Sequence, residues 1–238
     1  MLDKVLTFDI WGDYGYFRRG YTTTSTISYP FPSRTTIAGL ISAILGLDRD
    51  SYYEIFNKEN SKIGLRILNP IEKVRFNLNY INTKEGFILR DIKGQGKRSQ
   101  VQAEFVKNPK YRIYISLNDD DLMFNLYNLL LNHKSIYTPY LGISECIANF
   151  KLNSLDFIKL NEKKGENIYI NSIIPKKETN NIIIESNKKY GLVKTPSFFN
   201  NQRVVQEFTE FYYEEKGENI KLESCNYYEI GGDNVILF

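Results

Sequence analysis

Near the start of the chain Leu6, Phe8 and Ile10 alternate with Val5, Thr7 and Asp9, a period of two that predicts a strand ending at the Gly12-Asp13 and Gly15 breakers. A loop rich in Thr, Ser and Tyr follows over residues 16–33. The period then changes. Ile37, Leu40, Ile41, Ile44 and Leu45 fall at i, i+3, i+4, i+7 and i+8, one face of an amphipathic helix. Ser33 is its N-cap candidate after Pro30-Phe-Pro32, and Gly46 its stop. Gly39 inside this helix costs about 1 kcal/mol relative to Ala. With Ala38, Ser42 and Ala43 it makes a stripe of small residues, read first as tight packing of helix on sheet and second as room for a ligand.

Residues 62–68, 73–81 and 111–117 carry strand patterns. Between the last two lies a polar, basic stretch broken by Gly86, Gly94 and Gly96, too long for a turn and flanked by strand-like segments. It predicts a protruding hairpin arm over about 82–108. A second helix begins at Asp119-Asp120-Asp121 with Leu122, Leu126, Leu129 and Leu130 as its stripe, and a strand is expected over 143–152. The order β-α-β-β-α-β predicts an α+β fold of the ferredoxin-like kind over residues 1–153, an antiparallel sheet with two helices on one face. Short apolar runs at 168–174, 182–184, 208–213 and 235–238 predict a smaller β-rich region over 154–238.

Composition narrows the class. Of 238 residues 42% are hydrophobic and 25% charged, and 18 Tyr with 15 Phe argue against disorder. The longest apolar-leaning run, 37–47, falls short of the ~20 residues a membrane span needs, and no signal-peptide layout is seen near Met1. Cys146 and Cys225 match no metal spacing, which points to a reducing, cytoplasmic compartment. Charge is lopsided: residues 1–118 hold 18 Lys and Arg against 11 Asp and Glu, residues 119–238 hold 13 against 17. A polyanion is the expected partner of the basic half and protein that of the acidic half, where Glu214, Glu215 and Glu218 lie.

Catalytic chemistry finds few residues. The single histidine, His133, sits at the end of the second predicted helix, where the dipole favours a cation. No metal ligand set and no cofactor motif appear, and the Asp119–Asp121 run is read as a helix cap ahead of a metal site. Metal-free RNA cleavage needs only a base, an acid and a cation; His133, Lys134 and Tyr137 offer the types. Binding has more support, because single-stranded RNA needs cations for its backbone and flat side chains for its bases. Three segments combine these: Tyr14-Gly-Tyr-Phe-Arg-Arg19, Tyr29-Pro-Phe-Pro-Ser-Arg34 and Lys93-Gly-Gln-Gly-Lys-Arg98. Taken singly, they read as core aromatics or a solvated hairpin tip; together in one basic half they point to RNA. The candidate contacts are Arg18, Arg19, Lys93, Lys97 and Arg98 for phosphate and Gln100 and Gln102 for base edges, with Arg34 beside a helix N-terminus that itself attracts phosphate.

Phe8-Asp-Ile-Trp-Gly12, Tyr16-Phe-Arg18 and the block Ser28-Tyr-Pro-Phe-Pro-Ser-Arg-Thr-Thr-Ile-Ala-Gly-Leu-Ile-Ser-Ala-Ile-Leu-Gly46 resemble the N-terminal signature of the CRISPR-associated "Cas five" family of the RAMP superfamily. The likeness continues through Asn108-Pro-Lys-Tyr-Arg-Ile-Tyr114 and Pro139-Tyr-Leu-Gly-Ile-Ser-Glu-Cys-Ile-Ala148, and around Glu104-Phe-Val106 it is with the type I-B branch. The resemblance implies a ferredoxin-like domain with a hairpin thumb, in a subunit of a Cascade-type antiviral interference complex. Such a subunit caps the 5′ handle of the guide RNA (crRNA), contacts the backbone and large subunits, and lies near target DNA. One branch cleaves guide precursors without metal, using Tyr, Lys and His. Here no Lys-His pair follows the arm and His133 precedes its lysine, so no catalytic residue carries over; an endoribonuclease is the alternative function.

Overall fold

The computed structural model describes residues 2–20, 26–81, 98–179 and 181–238. In chain order the elements are β1 (Lys4–Trp11), β2 (Tyr14–Gly15), α1 (Arg34–Leu45), β3 (Ser61–Ile67), β4 (Glu72–Ile81), β5 (Arg98–Lys107), β6 (Lys110–Leu117), α2 (Asp120–Leu131) and β7 (Asn149–Leu152). After these come β8 (Ile158–Lys159), β9 (Glu162–Ile170), β10 (Ile174–Pro175), β11 (Ile182–Ile183), β12 (Tyr190–Phe199), β13 (Val205–Glu214), β14 (Ile220–Ile230) and β15 (Asp233–Val235). The described residues form an α+β fold with two α-helices and several antiparallel sheets. No helix among the described residues is long and apolar enough to cross a membrane.

Both helices start where local chemistry says they should. Ser33 caps α1 by accepting the Thr36 N–H at 3.3 Å, and Gly46 ends it in the left-handed region at φ 78°. Asp119 caps α2 through the Leu122 N–H at 2.9 Å. The central sheet runs β3-β6-β1-β7, every neighbouring pair antiparallel, with β8 beside the start of β1. Phe8 and Ile10 of β1, Ile63 and Leu65 of β3, and Ile113 and Ile115 of β6 meet Ile37, Ile41 and Ile44 of α1 and Leu126 and Leu130 of α2 in one core.

The opposite face of this sheet is also covered. Val5 and Tyr114 pack there against Ile230 and Val235 of the chain's last strands. Phe211 and Val193 of β13 and β12 join the main core, while Ile170, Ile174, Ile220 and Leu222 form a small cluster of their own. The expected strand over 143–152 is shortened to Asn149–Leu152. Gly142 turns the chain at φ 97°, and the Leu141 N–H bonds the Cys146 carbonyl at 2.7 Å, closing a tight loop where a strand was expected. Cys146 and Cys225 are buried, unpaired thiols.

β4 and β5 stand outside the central sheet as a ribbon paired from Glu72–Lys107 out to Ile81–Arg98. Its stem therefore reaches further back than the arm expected from residue 82. Residues 82–97, with Gly94, Lys93 and Lys97, lie outside the described residues.

Candidate functional site

Two adjoining cavities, about 560 and 350 Å³, share Arg18, Thr36 and Gly142 and form one groove along α1. Its floor is the side of α1 that bears Thr36, Gly39 and Ala43. The small-residue stripe is thus divided: Ala38 and Ser42 turn into the core, while Gly39 and Ala43 face the groove. Tight helix-on-sheet packing does not explain Gly39; a Cβ there would meet only the Tyr52 hydroxyl, at 3.2 Å.

At one end the groove is walled by Tyr80 and Val101 of the ribbon, with Thr26 and Ile143. At the other it is walled by Tyr52, Tyr53, Tyr140, Phe199 and Arg203. Gly142 joins the two ends, its Cβ position 2.0 Å from the Tyr16 carbonyl oxygen, so no side chain fits there. At the Arg203 end an ion pair joins two distant loops. Arg203 and Asp50 both adopt left-handed backbone, φ 60° and 64°, a conformation sustained by surrounding bonds. Arg203 Nε lies 3.4 Å from Asp50 Oδ1, which also accepts the Tyr53 hydroxyl at 2.5 Å. Burial first, then the bond to Asp50, pushes the Tyr53 phenol up to about 12, and burial likewise raises Tyr52. Both are neutral near pH 7 and offer flat rings and hydrogen-bond donors, not phenolate bases.

The ribbon is clamped to the loop that carries Arg18. The Glu104 carboxylate, 8% exposed, accepts Lys73 Nζ at 2.7 Å, and the same ammonium reaches the Ser28 carbonyl at 3.1 Å. Burial would raise the Glu104 carboxyl, but the bond and charge of Lys73 outweigh it and hold the group below its usual range. A depressed carboxyl stabilises the fold above the unfolded-state value, about 4.3, and that contribution disappears as pH falls through the folded-state value. Glu104→Gln is therefore expected to lower the melting temperature at pH 7 by an amount equivalent to roughly 1–3 kcal/mol. The gap to wild type should close below about pH 4; a gap constant from neutral to acid pH would show that the pair's charge is immaterial.

The expected contacts divide into four groups. Arg18 is exposed at the joint of the two cavities. Arg19 is half-buried, its guanidinium 5.3 Å from the Tyr29 ring centre. Arg98, Gln100 and Gln102 are exposed on β5, Gln100 and Gln102 on the face of the ribbon opposite the groove-lining Tyr80 and Val101. Lys93 and Lys97 lie outside the described residues.

Arg34 needs correction. It is 2% exposed, its guanidinium donating to the carbonyls of Phe56 at 2.8 Å, Ser61 at 3.0 Å and Phe238 at 3.3 Å, and so is not offered to phosphate. Tyr16, Phe17, Tyr29 and Phe31 are likewise core aromatics. Glu214, expected on a protein-facing surface, is 2% exposed and accepts the N–H groups of Lys189, Lys216 and Glu218. Sequence reasoning missed Tyr52, Tyr80, Tyr140 and Arg203, which come from four separate stretches with no shared motif; only Gly39 hinted at an open helix face.

His133 is exposed at the end of α2 with its ring 4.8 Å from that of Phe150, and it lines neither cavity. No cluster of three or more potential metal ligands occurs among the described residues. In chemical terms the groove offers cations at its joint and one end, with neutral aromatic rings along its walls.

The family model described as CRISPR-associated protein (Cas_Cas5) matches residues 5–193. A CRISPR protein from Archaeoglobus fulgidus is similar in structure, at 15% identity and a TM-score of 0.52, over 98% of this chain and 97% of that one. A chain of a CRISPR RNA-guided surveillance complex is similar at 11% identity and a TM-score of 0.50, over 91% of each chain. At such identities the likeness is one of fold. Comparison with curated proteins gives no match. The family match takes in the central sheet, both helices and the groove apart from Pro196, Phe199 and Arg203 at its far end, and by it this chain belongs to the CRISPR-associated Cas5 family.

Proposed function

We propose that the chain is a non-catalytic guide-RNA-binding subunit of a type I CRISPR interference complex, of the I-B kind, and that its groove holds the 5′ handle of the guide RNA. The observation that carries this reading is the groove itself: an open helix face at Gly39 between an exposed arginine and several tyrosine rings. A single strand needs this combination, cations along its backbone and π-faces under its bases. The strand order β3-β6-β1-β7, fed by one helix between β1 and β3 and another between β6 and β7, supports a ferredoxin-like core with the ribbon as its thumb. Backbone and large subunits of the complex are the partners this reading calls for. A similar chain belongs to an RNA-guided surveillance complex, which agrees with it.

Gly39→Leu tests the reading with opposite effects on fold and ligand. Leucine is the better helix former by roughly 0.8–1 kcal/mol, so the melting temperature should hold or rise. Its side chain projects into the groove, so affinity for a handle-containing RNA should fall at least tenfold. Arg18→Ala should flatten the log–log salt slope by about 0.7, the contribution of one phosphate in a single strand. Full RNA affinity in Gly39→Leu would remove the RNA from the groove. Metal-independent cleavage of repeat RNA in chelator, abolished by His133→Ala, would establish the endoribonuclease instead.

A further inference from the structure

We infer that the far end of the groove reads a single guanine of the bound strand, Arg203 donating to N7 and O6 of the base. This rests on the RNA reading of the groove and adds a base-specific position to it. The turn between β12 and β13 sets the arginine. There the Asn200 side-chain oxygen accepts the N–H groups of Gln202 at 3.0 Å and Val204 at 2.9 Å, and the Arg203 N–H bonds the Asn200 carbonyl at 2.9 Å. These bonds sustain the left-handed backbone of Arg203. Asn201 adds a second tie to the loop after α1, donating to Glu54 Oε1 at 3.3 Å.

Asp50 takes the inner nitrogen of the guanidinium, Nε, at 3.4 Å. The two terminal nitrogens make no hydrogen bond to a described residue, and the side chain is 55% exposed on the cavity wall. A planar fork of donors fits two acceptors lying side by side, which a phosphate or the edge of a base can supply. The neighbours decide between them. Asp50 offsets the charge of Arg203, which weakens its pull on an anion and leaves its directed donors in place. Around it stand rings: those of Tyr52 and Tyr53 are 5.0 Å apart between centres, and Phe199 lies 5.9 Å from Tyr53. Flat apolar walls suit a splayed base, not a phosphate.

The fork also selects among bases. Guanine shows two acceptors on one edge, N7 and O6, whereas adenine sets an N6 donor beside its N7 acceptor. Uracil places one carbonyl next to an N–H. Cytosine shows an acceptor pair, N3 and O2, on a single ring; the two-ring purine covers more of the aromatic wall and fills more of the 350 Å³ cavity.

The test titrates the full chain with short fluorescent oligouridine strands in which one guanine, adenine or cytosine is placed at each position in turn, read by anisotropy. At one position guanine should bind about tenfold or more tighter than the other bases. Replacing that guanine by 7-deazaguanine, in which carbon stands at N7, should remove most of the gain. Arg203→Ala should abolish the preference, and 7-deazaguanine should then cost nothing further, as for two changes to one interaction. Arg18→Ala should keep the preference while flattening the salt slope. If no strand binds, the RNA reading and this proposal both fail. If strands bind without regard to base, or if cytosine or adenine is preferred, only this proposal fails. It fails equally if Arg203→Ala keeps the ranking of bases and flattens the salt slope by about 0.7, because the guanidinium then meets a phosphate.

Discussion

Arg34→Ala should lower the free energy of unfolding by about 3–5 kcal/mol, the scale for emptying the site of a large buried side chain and leaving its hydrogen-bond acceptors unpaired. Four acceptors surround its guanidinium: the Phe56, Ser61 and Phe238 carbonyls and Ser61 Oγ at 2.8 Å, while the Phe198 ring centre lies 4.4 Å beneath it. Burial pulls its pKa down to about 9, against the opposing charge of Glu207, so it is still cationic at neutral pH. Alanine would leave those acceptors facing a cavity without donors, each costing roughly 1–3 kcal/mol. The loss corresponds to a fall of about 6–20 °C in melting temperature for a chain of this size. Arg34→Lys should recover only part of it, because one ammonium cannot reproduce the planar fork. The folded fraction of that variant should bind RNA as wild type does. A thermally unaltered Arg34→Ala with weakened RNA binding would return Arg34 to the interface.

Asp233→Ala is expected to cost a comparable amount, about 3–5 kcal/mol. Asp233 sits in β15 just past the Gly231-Gly232 turn and is 7% exposed against the back of the central sheet. It pairs with Arg66, accepts the Tyr114 hydroxyl at 2.5 Å and lies 3.3 Å from Arg112, which in turn holds Asp9 at 2.8 and 3.3 Å. Asp9 also accepts Asn153 at 2.5 Å, so one polar network spans β3, β6, β1 and β15. Without Asp233 two partly exposed cations and a buried phenol lose a shared, buried acceptor, and the last strands lose their polar anchor to the sheet. Chemical denaturation reads the loss directly, and a cycle with Arg112→Ala should show coupling of roughly 0.5–3 kcal/mol. Additive effects and a total below about 1 kcal/mol would make the network a surface ornament.

The candidate site was legible in fragments. Arg18 and the small residues of α1 stood out in the sequence, and both line the groove. Gln100 and Gln102 also stood out, yet they belong to a different surface. Strand alternation shows that Gln100 and Gln102 share a face and Val101 does not; it cannot say which face meets α1. That depends on how the ribbon leans, which is decided by Tyr14 and Tyr16 packing on Phe76 and Phe105 and by Lys73 bridging Glu104 to Ser28. Tyr52, Tyr140 and Arg203 were not marked as site residues because their proximity is made by loops from distant parts of the chain.

By itself the amino-acid sequence determined the features whose physics is local. Both helices, their caps at Ser33 and Asp119, the stop at Gly46 and the strands flanking the arm all follow from periodicity and from bonds spanning a few residues. The family signature was legible for a similar reason, since its residues are contiguous. Only the tertiary structure decided what each polar residue is for. Arg34, placed after a cap and before a helix, reads as a surface cation; its acceptors lie 22, 27 and 204 residues away in the chain. Glu214 reads as one of several surface acids, and its three N–H donors come from two turns that meet only in the fold. A charge enters the interior only where distant segments bring it partners, and no local pattern records where those segments converge.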